Sequence, residues 1–186
     1  MQAIKDRIIL GIDPGTNLMG YGVIRSRGKQ PEYLDMGVVD LKGQNDPYLK
    51  LKTIMEETGT LIDRFLPDEV AIEAPFYGKN VQSMLKLGRA QGVAIAAALS
   101  REVPVTEYAP RKIKLSITSQ GDASKEQVAA MLSRMFGLKE IPKNLDATDG
   151  LAVAVCHFYQ TGLPGSAPRQ SRSWEAYIRQ NPGRIK

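Results

Sequence analysis

The chain has 186 residues, a formal net charge of +5 and an isoelectric point of about 9.3, so we expect one compact domain and a polyanionic partner. No stretch approaches the roughly 18–20 apolar residues of a membrane span, and residues 1–6 lack the pattern of a signal peptide, so we expect a cytoplasmic protein. Cys156 is the only cysteine, which excludes an intramolecular disulfide and a thiolate metal cluster.

The first forty residues predict three strands. Residues 7–13 are apolar and β-branched, as in a buried strand, and residues 14–17 (Pro-Gly-Thr-Asn) are typical of a turn. Residues 20–25 and 33–40 have the composition of two further strands. Because the gaps between them are short, we expect an antiparallel meander.

The middle of the chain alternates helices and strands. Asp46 is a candidate N-cap with Pro47 at the first helical position, and the helix that follows should end before Pro67. Residues 69–73 predict a fourth strand. Residues 80–101 predict a long helix whose second half is rich in alanine and glycine, which permits close packing.

The last part of the domain predicts one more strand and three helices. Residues 103–108 predict the strand, and a short helix follows it. Ser124 and Gln127 form a capping box for a helix that Gly137 ends, and residues 145–159 predict the final helix. A meander followed by α/β crossovers predicts an α/β fold with a mixed five-stranded sheet flanked by helices.

Residues 163–186 differ from the preceding domain of residues 1–162. They contain five basic residues against one acid, together with several prolines, glycines and serines. Trp174, Tyr177 and Ile178 have helical spacing. The tail is therefore either a short docked helix or a flexible basic arm that contacts a polyanion.

Two carboxylates occupy unusual positions at strand ends. Asp13 and Glu73 each end an apolar strand and each precede a turn containing proline, Pro14 or Pro75. An unpaired carboxylate at the margin of a core is costly to desolvate, and α/β sheets place their chemistry at the carboxyl ends of strands. We interpret both as ligands of a divalent cation.

Asp146 and Asp149 are three residues apart at the start of the last helix, so they share one face. Acids at a helix N-terminus are also common as simple stabilising groups, and the pair alone does not decide between the two interpretations. With only oxygen ligands available, a metal site here would favour Mg²⁺, or Mn²⁺ as a substitute, over zinc.

Five sequence blocks stand out: GIDPGT (11–16), AIEAPF (71–76), LGRAQGVA (87–94), EYAPRKIK (107–114) and DATDGLAVA (146–154). In this order and spacing, over about residues 7–160, the chain resembles the RuvC family of Holliday-junction resolvases. The resemblance implies an RNase H-like fold, a working homodimer and paired nicks in opposed strands of a four-way DNA junction during recombination and repair. It also implies the RuvA–RuvB branch-migration complex as a partner.

Matched position by position, the catalytic acids of the family correspond to Asp13, Glu73, Asp146 and Asp149. We expect two Mg²⁺ ions about 4 Å apart, with Asp13 bridging them. Glu73 and Asp149 would hold one ion each, and Asp146 would complete a coordination shell. The expected products are a 5′-phosphate and a 3′-hydroxyl.

The resemblance also implies DNA contacts. The aromatic residue that acts on bases at the junction centre corresponds to Phe76, with Tyr77 beside it, where stacking would contribute roughly 1–3 kcal/mol per base. The alternative for Phe76 is a place in the core. Lys114 and Lys125 match basic positions of the family, although surface lysines often do no more than face the solvent. Further candidates near these positions are Lys79, Asn80, Arg111 and Lys112.

Two features of the sequence have more than one interpretation. Helix 80–101 should pack partly on the sheet and, by the resemblance, partly on a second protomer. His157 follows the acid pair by about two turns, and we favour a structural role over a catalytic one.

Three other functions remain as alternatives. An actin-like nucleotide-binding module also has an aspartate–glycine–threonine turn, but it needs two domains and a glycine-rich adenosine loop. A related nuclease that acts on structured RNA is the second alternative, and a junction-binding protein without catalysis is the third. The presence of all four acids argues against the last.

Overall fold

The computed structural model describes residues 6–28, 30–75, 80–138, 140, 142 and 144–161. These residues form a mixed five-stranded sheet and five helices, which confirms the predicted fold class. The strands are β1 (Arg7–Asp13), β2 (Leu18–Arg27), β3 (Gln30–Asp40), β4 (Glu69–Glu73) and β5 (Val105–Tyr108), and the helices are α1 (Pro47–Phe65), α2 (Val81–Leu99), α3 (Pro110–Thr118), α4 (Lys125–Phe136) and α5 (Asp146–Thr161).

The strand order in the sheet is β3-β2-β1-β4-β5. The strands β1, β2 and β3 form the antiparallel meander, while β4 runs parallel to β1 and β5 runs parallel to β4. The carboxyl ends of β1, β4 and β5 therefore meet at one end of the sheet. Asp13 and Glu73 both lie there, so we call it the acidic end.

Side-chain alternation along the strands divides the core into two layers. Leu10 and Ile12 pack with α1 and α2 on one face of the sheet. Ile9 packs with α3, α4 and α5 on the other face. By the same alternation, Gly11 and Asp13 lie on the α5 face, so the sheet directs Asp13 toward the helix that carries the other two aspartates.

The predicted helix boundaries have the expected local causes. The Asp46 side chain accepts a hydrogen bond from the Tyr48 amide, and α1 ends at Leu66, whose backbone is left-handed. Ser124 and Gln127 form the predicted capping box of α4, which ends at Gly137 with a φ of 61°.

Some predicted element limits were wrong by a few residues. The strands β2 and β3 are longer than predicted, because their pairing continues as far as Arg27 and Gln30. The strand β5 starts two residues later, since the Val103 amide bonds to the Ala98 carbonyl at the end of α2 instead of to the sheet. The final helix covers Asp146–Thr161.

In the described ranges, no helix has both the length and the apolar character that crossing a membrane requires. The tail predicted for residues 163–186, docked or flexible, lies outside the described residues, so its separation from a domain of residues 1–162 stays a prediction.

Candidate active site

Close packing of α5 on the sheet builds the acidic end. At Gly11, Gly20 and Gly22 an added Cβ would overlap the backbone of α5, and at Gly150 it would overlap the backbone of Tyr21. These glycines let the helix backbone lie directly against β1 and β2. The first turn of α5 is thereby brought to the end of β1.

This packing brings the acids of the last helix to the acid of the first strand. Carboxylate oxygens of Asp13, Asp146 and Asp149 all lie within 4.8 Å of one another. Glu73 lies outside that set, but it lines the same cleft as Asp13. The cleft has a volume of about 220 Å³. The structure therefore gathers at one place the four acids that the sequence singled out.

The electrostatics of this cluster favour a bound cation. Burial, followed by the charges of Glu73 and Asp149, raises the pKa of Asp13 well above its usual value of 3.8. Burial and the charge of Asp149 raise the pKa of Glu73 from 4.5 to about 7. Burial also raises the pKa of Asp149, against the opposing effect of Lys125. When neighbouring carboxylates have raised pKa values, a divalent ion bound among them stabilises their ionised forms.

Lys125 belongs to the cluster. Its Nζ donates to Asp146 Oδ1 at 2.9 Å and to Asp149 Oδ2 at 2.5 Å, while half of the side chain stays exposed. Burial lowers the pKa of Lys125, but the hydrogen bonds to Asp149 and Asp146 raise it further, so the net direction is upward. Lys114 is close enough to lower the pKa of Glu73. Two predicted basic positions thus border the acids, while Asp13 and Glu73 have no salt bridge within the described ranges.

Gln91 was not among the site residues predicted from the sequence. This buried residue of α2 lines the cleft beside Asp13 and Glu73. Its Nε2 donates to the Glu73 carbonyl at 3.3 Å and to Glu107 Oε2 at 2.8 Å, so it ties the end of β4 to β5. A glutamine within the alanine-rich half of a helix was the available signal.

His157 lies away from the acids, in a buried polar network. Its Nδ1 is 2.9 Å from the Tyr108 hydroxyl and its Nε2 is 2.8 Å from Glu69 Oε2. Glu69 also pairs with Arg7 at 3.1 Å. Because Glu69 begins β4, its carboxylate lies at the opposite end of the strand from Glu73, while Tyr108 reaches His157 from the residue that pairs with Glu73 in the sheet. The structural role that we favoured for His157 agrees with this position.

The predicted DNA contacts differ in their positions. Arg111 and Lys112 are exposed in the first turn of α3, with Lys112 Nζ 5.1 Å from the centre of the Tyr108 ring. Asn80 caps α2 by accepting a hydrogen bond from the Ser83 amide. Phe76, Tyr77 and Lys79 lie outside the described residues, and the contacts predicted for them stay predictions.

Comparison with known proteins identifies the family. Residues 9–157 match the family model described as crossover junction endodeoxyribonuclease RuvC. A curated relative of that name from Bacteroides fragilis is 58% identical over 188 residues and is matched along 100% of both chains. Another, from Christiangramia forsetii, is 58% identical over 182 residues, covering 98% of this chain and 94% of the relative.

Solved structures agree with these sequence matches. T. thermophilus RuvC in complex with Holliday junction substrate is 32% identical in sequence, and its structure has a TM-score of 0.77, covering 84% of this chain and 95% of that one. The yeast mitochondrial Holliday junction resolvase Ydc2, at 14% identity and a TM-score of 0.59, supports the fold alone. These matches favour neither the actin-like nor the RNA-directed alternative. The chain belongs to the RuvC family of crossover junction endodeoxyribonucleases and has its RNase H-like fold.

Proposed function

We propose that this chain resolves four-way DNA junctions by hydrolysing one phosphodiester bond in each of two opposed strands, leaving a 5′-phosphate and a 3′-hydroxyl. The observation that carries the proposal is the convergence of Asp13, Asp146 and Asp149 within 4.8 Å, in a chain that matches the RuvC model over residues 9–157. A site of carboxylates at the mouth of a small cleft suits metal-assisted hydrolysis of a phosphodiester.

We infer that the cluster holds Mg²⁺, two ions in each protomer. The donor set fits, because it consists of carboxylate oxygens and because burial raises the pKa of Asp13 and of Glu73, neither of which forms a salt bridge in the described part of the chain. When bound, such ions activate the attacking water and stabilise the charge on the departing 3′ oxygen. Asp13 would bridge them, Glu73 and Asp149 would each hold one, and Asp146 would complete a shell.

The remaining residues of the site would orient the DNA. Lys114 and Lys125 place two ammonium groups beside the acids, where they would attract the phosphate that is to be cut. Arg111 and Lys112 add positive charge at the start of α3, and Asn80 and Lys79 would contact the backbone near α2. Phe76, with Tyr77, would stack on an unpaired base at the junction centre.

We also propose a homodimer formed through α2, because two opposed cuts need two active sites. One face of α2 carries a row of apolar and small residues at helical spacing. Val81, Leu85 and Leu99 are 62, 59 and 56% exposed, and Cβ atoms added at Gly88 and Gly92 would meet nothing within 4 Å. A second α2 helix could approach such a surface closely.

Sedimentation equilibrium tests this surface. Leu85→Glu should convert a dimer into a monomer, because it places a charge in the apolar row, while Glu57→Gln, on the exposed side of α1, should leave the dimer intact. A wild-type monomer at micromolar concentration would refute the homodimer.

By the same family membership we infer a cytoplasmic protein that receives junctions from RuvA and RuvB.

The central experiment compares three substrates in Mg²⁺. A synthetic four-way junction should be nicked at symmetric positions in two strands, whereas a linear duplex and an RNA hairpin should stay intact. EDTA should abolish nicking, and a religation assay should seal the products. Equal cleavage of the duplex would contradict junction specificity, and cleavage of the hairpin would favour a nuclease that acts on structured RNA.

A further inference from the structure

A second groove lies between α1, α2 and the turn after β1. Its volume is about 470 Å³, twice that of the cleft lined by Asp13 and Glu73, which we call the acidic cleft. Leu51, Ile54 and Ala90 form its apolar floor. Polar and basic residues also line it, among them Thr16, Asn17, Lys50, Lys86 and Arg89.

The charged residues described in the lining of this groove are all basic. Among the residues that the structure describes, the charged residues that line it are Lys50, Lys86 and Arg89, and none of these described lining residues is an acid. The nearest acid in sequence, Asp46, directs its carboxylate to the Tyr48 amide at the start of α1. A groove whose described lining has three cations, exposed amide and hydroxyl groups and no carboxylate is complementary to a polyanion.

The three basic side chains differ in their contacts. Lys50 donates to the Thr16 carbonyl at 2.8 Å and to Asn17 Oδ1 at 3.2 Å, so it holds the turn that follows Asp13. Lys86 and Arg89 are exposed on α2 and form no salt bridge with any residue that the structure describes. Two of the three cations are therefore available to a ligand.

The groove continues the acidic cleft. Leu87 lines both, and Thr16 lies three residues after Asp13. The helices α1 and α2 begin at the acidic end of the sheet, as α3 does, because each follows a strand that ends there. The basic residues of α3 and α4 thus lie on one side of the acids, and Lys86 and Arg89 lie on the other.

We propose that this groove binds the phosphate backbone of a duplex arm of the substrate, with Lys86 and Arg89 as phosphate ligands. The inference rests on the proposed function and extends it, because it places a second DNA contact across the acids from Lys114 and Lys125. A duplex seated on both sides would be held over Asp13 and Glu73. A groove that instead received a second copy of this chain would change the state of association when altered.

The test measures binding of a fluorescent four-way junction by anisotropy in EDTA, where cleavage does not interfere, at several salt concentrations. The double variant Lys86→Ala, Arg89→Ala should bind the junction about tenfold more weakly. The slope of its log Kd plotted against log salt concentration should be smaller by about two. The matched control Arg64→Ala, Arg134→Ala removes the same charge from the last turns of α1 and α4. It should retain the wild-type salt dependence.

Each outcome has one meaning. Equal Kd and equal slope for the two double variants would overturn the proposal. A changed sedimentation profile of the Lys86, Arg89 variant would also overturn it, because the groove would then be an interface between copies. Failure of the wild-type protein to nick junctions in Mg²⁺ would count against the proposed function, whereas normal nicking beside an unchanged double variant would count against this groove alone.

Discussion

Glu69 and Glu73 begin and end the same strand on the same face of the sheet, about 13 Å apart, yet their surroundings are opposite. Glu69 accepts from His157 and pairs with Arg7, and the hydrogen bond from His157 is the main reason that its pKa lies below the usual value. Glu73 is partly buried, and burial together with the charge of Asp149 raises its pKa to about 7.

The two ends of β4 therefore have different uses. Where a carboxylate has partners, its charge contributes to stability. Where carboxylates are gathered without enough cations, their charges oppose folding and favour a ligand that neutralises them. We expect mutations at the acidic end to affect activity and mutations at the opposite end to affect stability.

The largest contrast should come from Asp13→Asn. Cleavage of the junction should fall by at least on the order of a thousandfold, because metal assistance is worth several kcal/mol and about 1.4 kcal/mol corresponds to a factor of ten. Junction binding in EDTA should persist. The midpoint of thermal unfolding in EDTA should rise, since the variant removes a charge that burial and like-charged neighbours destabilise. Full cleavage by this variant in Mg²⁺ would remove Asp13 from the site.

Gly20→Ala should disturb the acidic end through geometry alone. Its added Cβ would overlap the Asp146 carbonyl, so the first turn of α5 must move away from β1. A displacement near 1 Å can cost about a hundredfold in rate, and the strain should lower stability by about 1–3 kcal/mol. Gly43→Ala is the matched control, because nothing lies within 4 Å of its added Cβ. Equal cleavage rates for the two variants would show that the close contact is unimportant.

Glu69→Gln and Glu73→Gln should have opposite effects on urea denaturation in EDTA. The folded-state pKa of Glu69 is lowered, so its stabilisation is present above pH 4.5 and is lost as the pH falls through the lower folded value. Glu69→Gln should cost about 1 kcal/mol at pH 8.

The pKa of Glu73 is raised, so the folded state binds the proton more tightly and stability falls as the pH rises from 4.5 to about 7. Glu73→Gln should therefore stabilise the protein at pH 8, on the order of 1–3 kcal/mol, and flatten that part of the pH profile. Effects of the same sign for both variants would refute the contrast between the two ends.

The smallest effect should come from Gln91→Leu, which removes the amide that holds the Glu73 carbonyl and Glu107. Outer partners of metal ligands commonly contribute tenfold or more to metal affinity, so the Mg²⁺ concentration for half-maximal cleavage should rise by about tenfold. Calorimetric titration with Mn²⁺ should show the same shift without DNA. Gln82→Leu on the exposed side of α2 is the control, and equal metal affinities would assign Gln91 to packing alone.

Local rules predicted the parts of this molecule that depend on neighbours in sequence. The capping box at Ser124 and the strands that end at Asp13 and Glu73 followed from residue type and spacing. The pairing of Lys125 with Asp146 did not, because it joins the start of one helix to that of another.

The close approach of α5 to the sheet could not be predicted from the sequence either. It depends on glycines in β1, β2 and α5 that meet only in the folded chain, and each of them alone resembles an ordinary small residue. The four acids were recognisable as candidates, but the packing that brings them together was not.

Gly150 shows what this packing means for engineering. A glycine inside a helix costs roughly 1 kcal/mol in helix propensity relative to alanine, and so it is a usual first target for thermostabilisation. Here the absent methyl group is the space that the backbone of Tyr21 occupies. A consensus or propensity-based redesign would therefore have to exempt Gly150, and the intrinsic weakness of the helix at that point is a condition for keeping its aspartates in reach of β1.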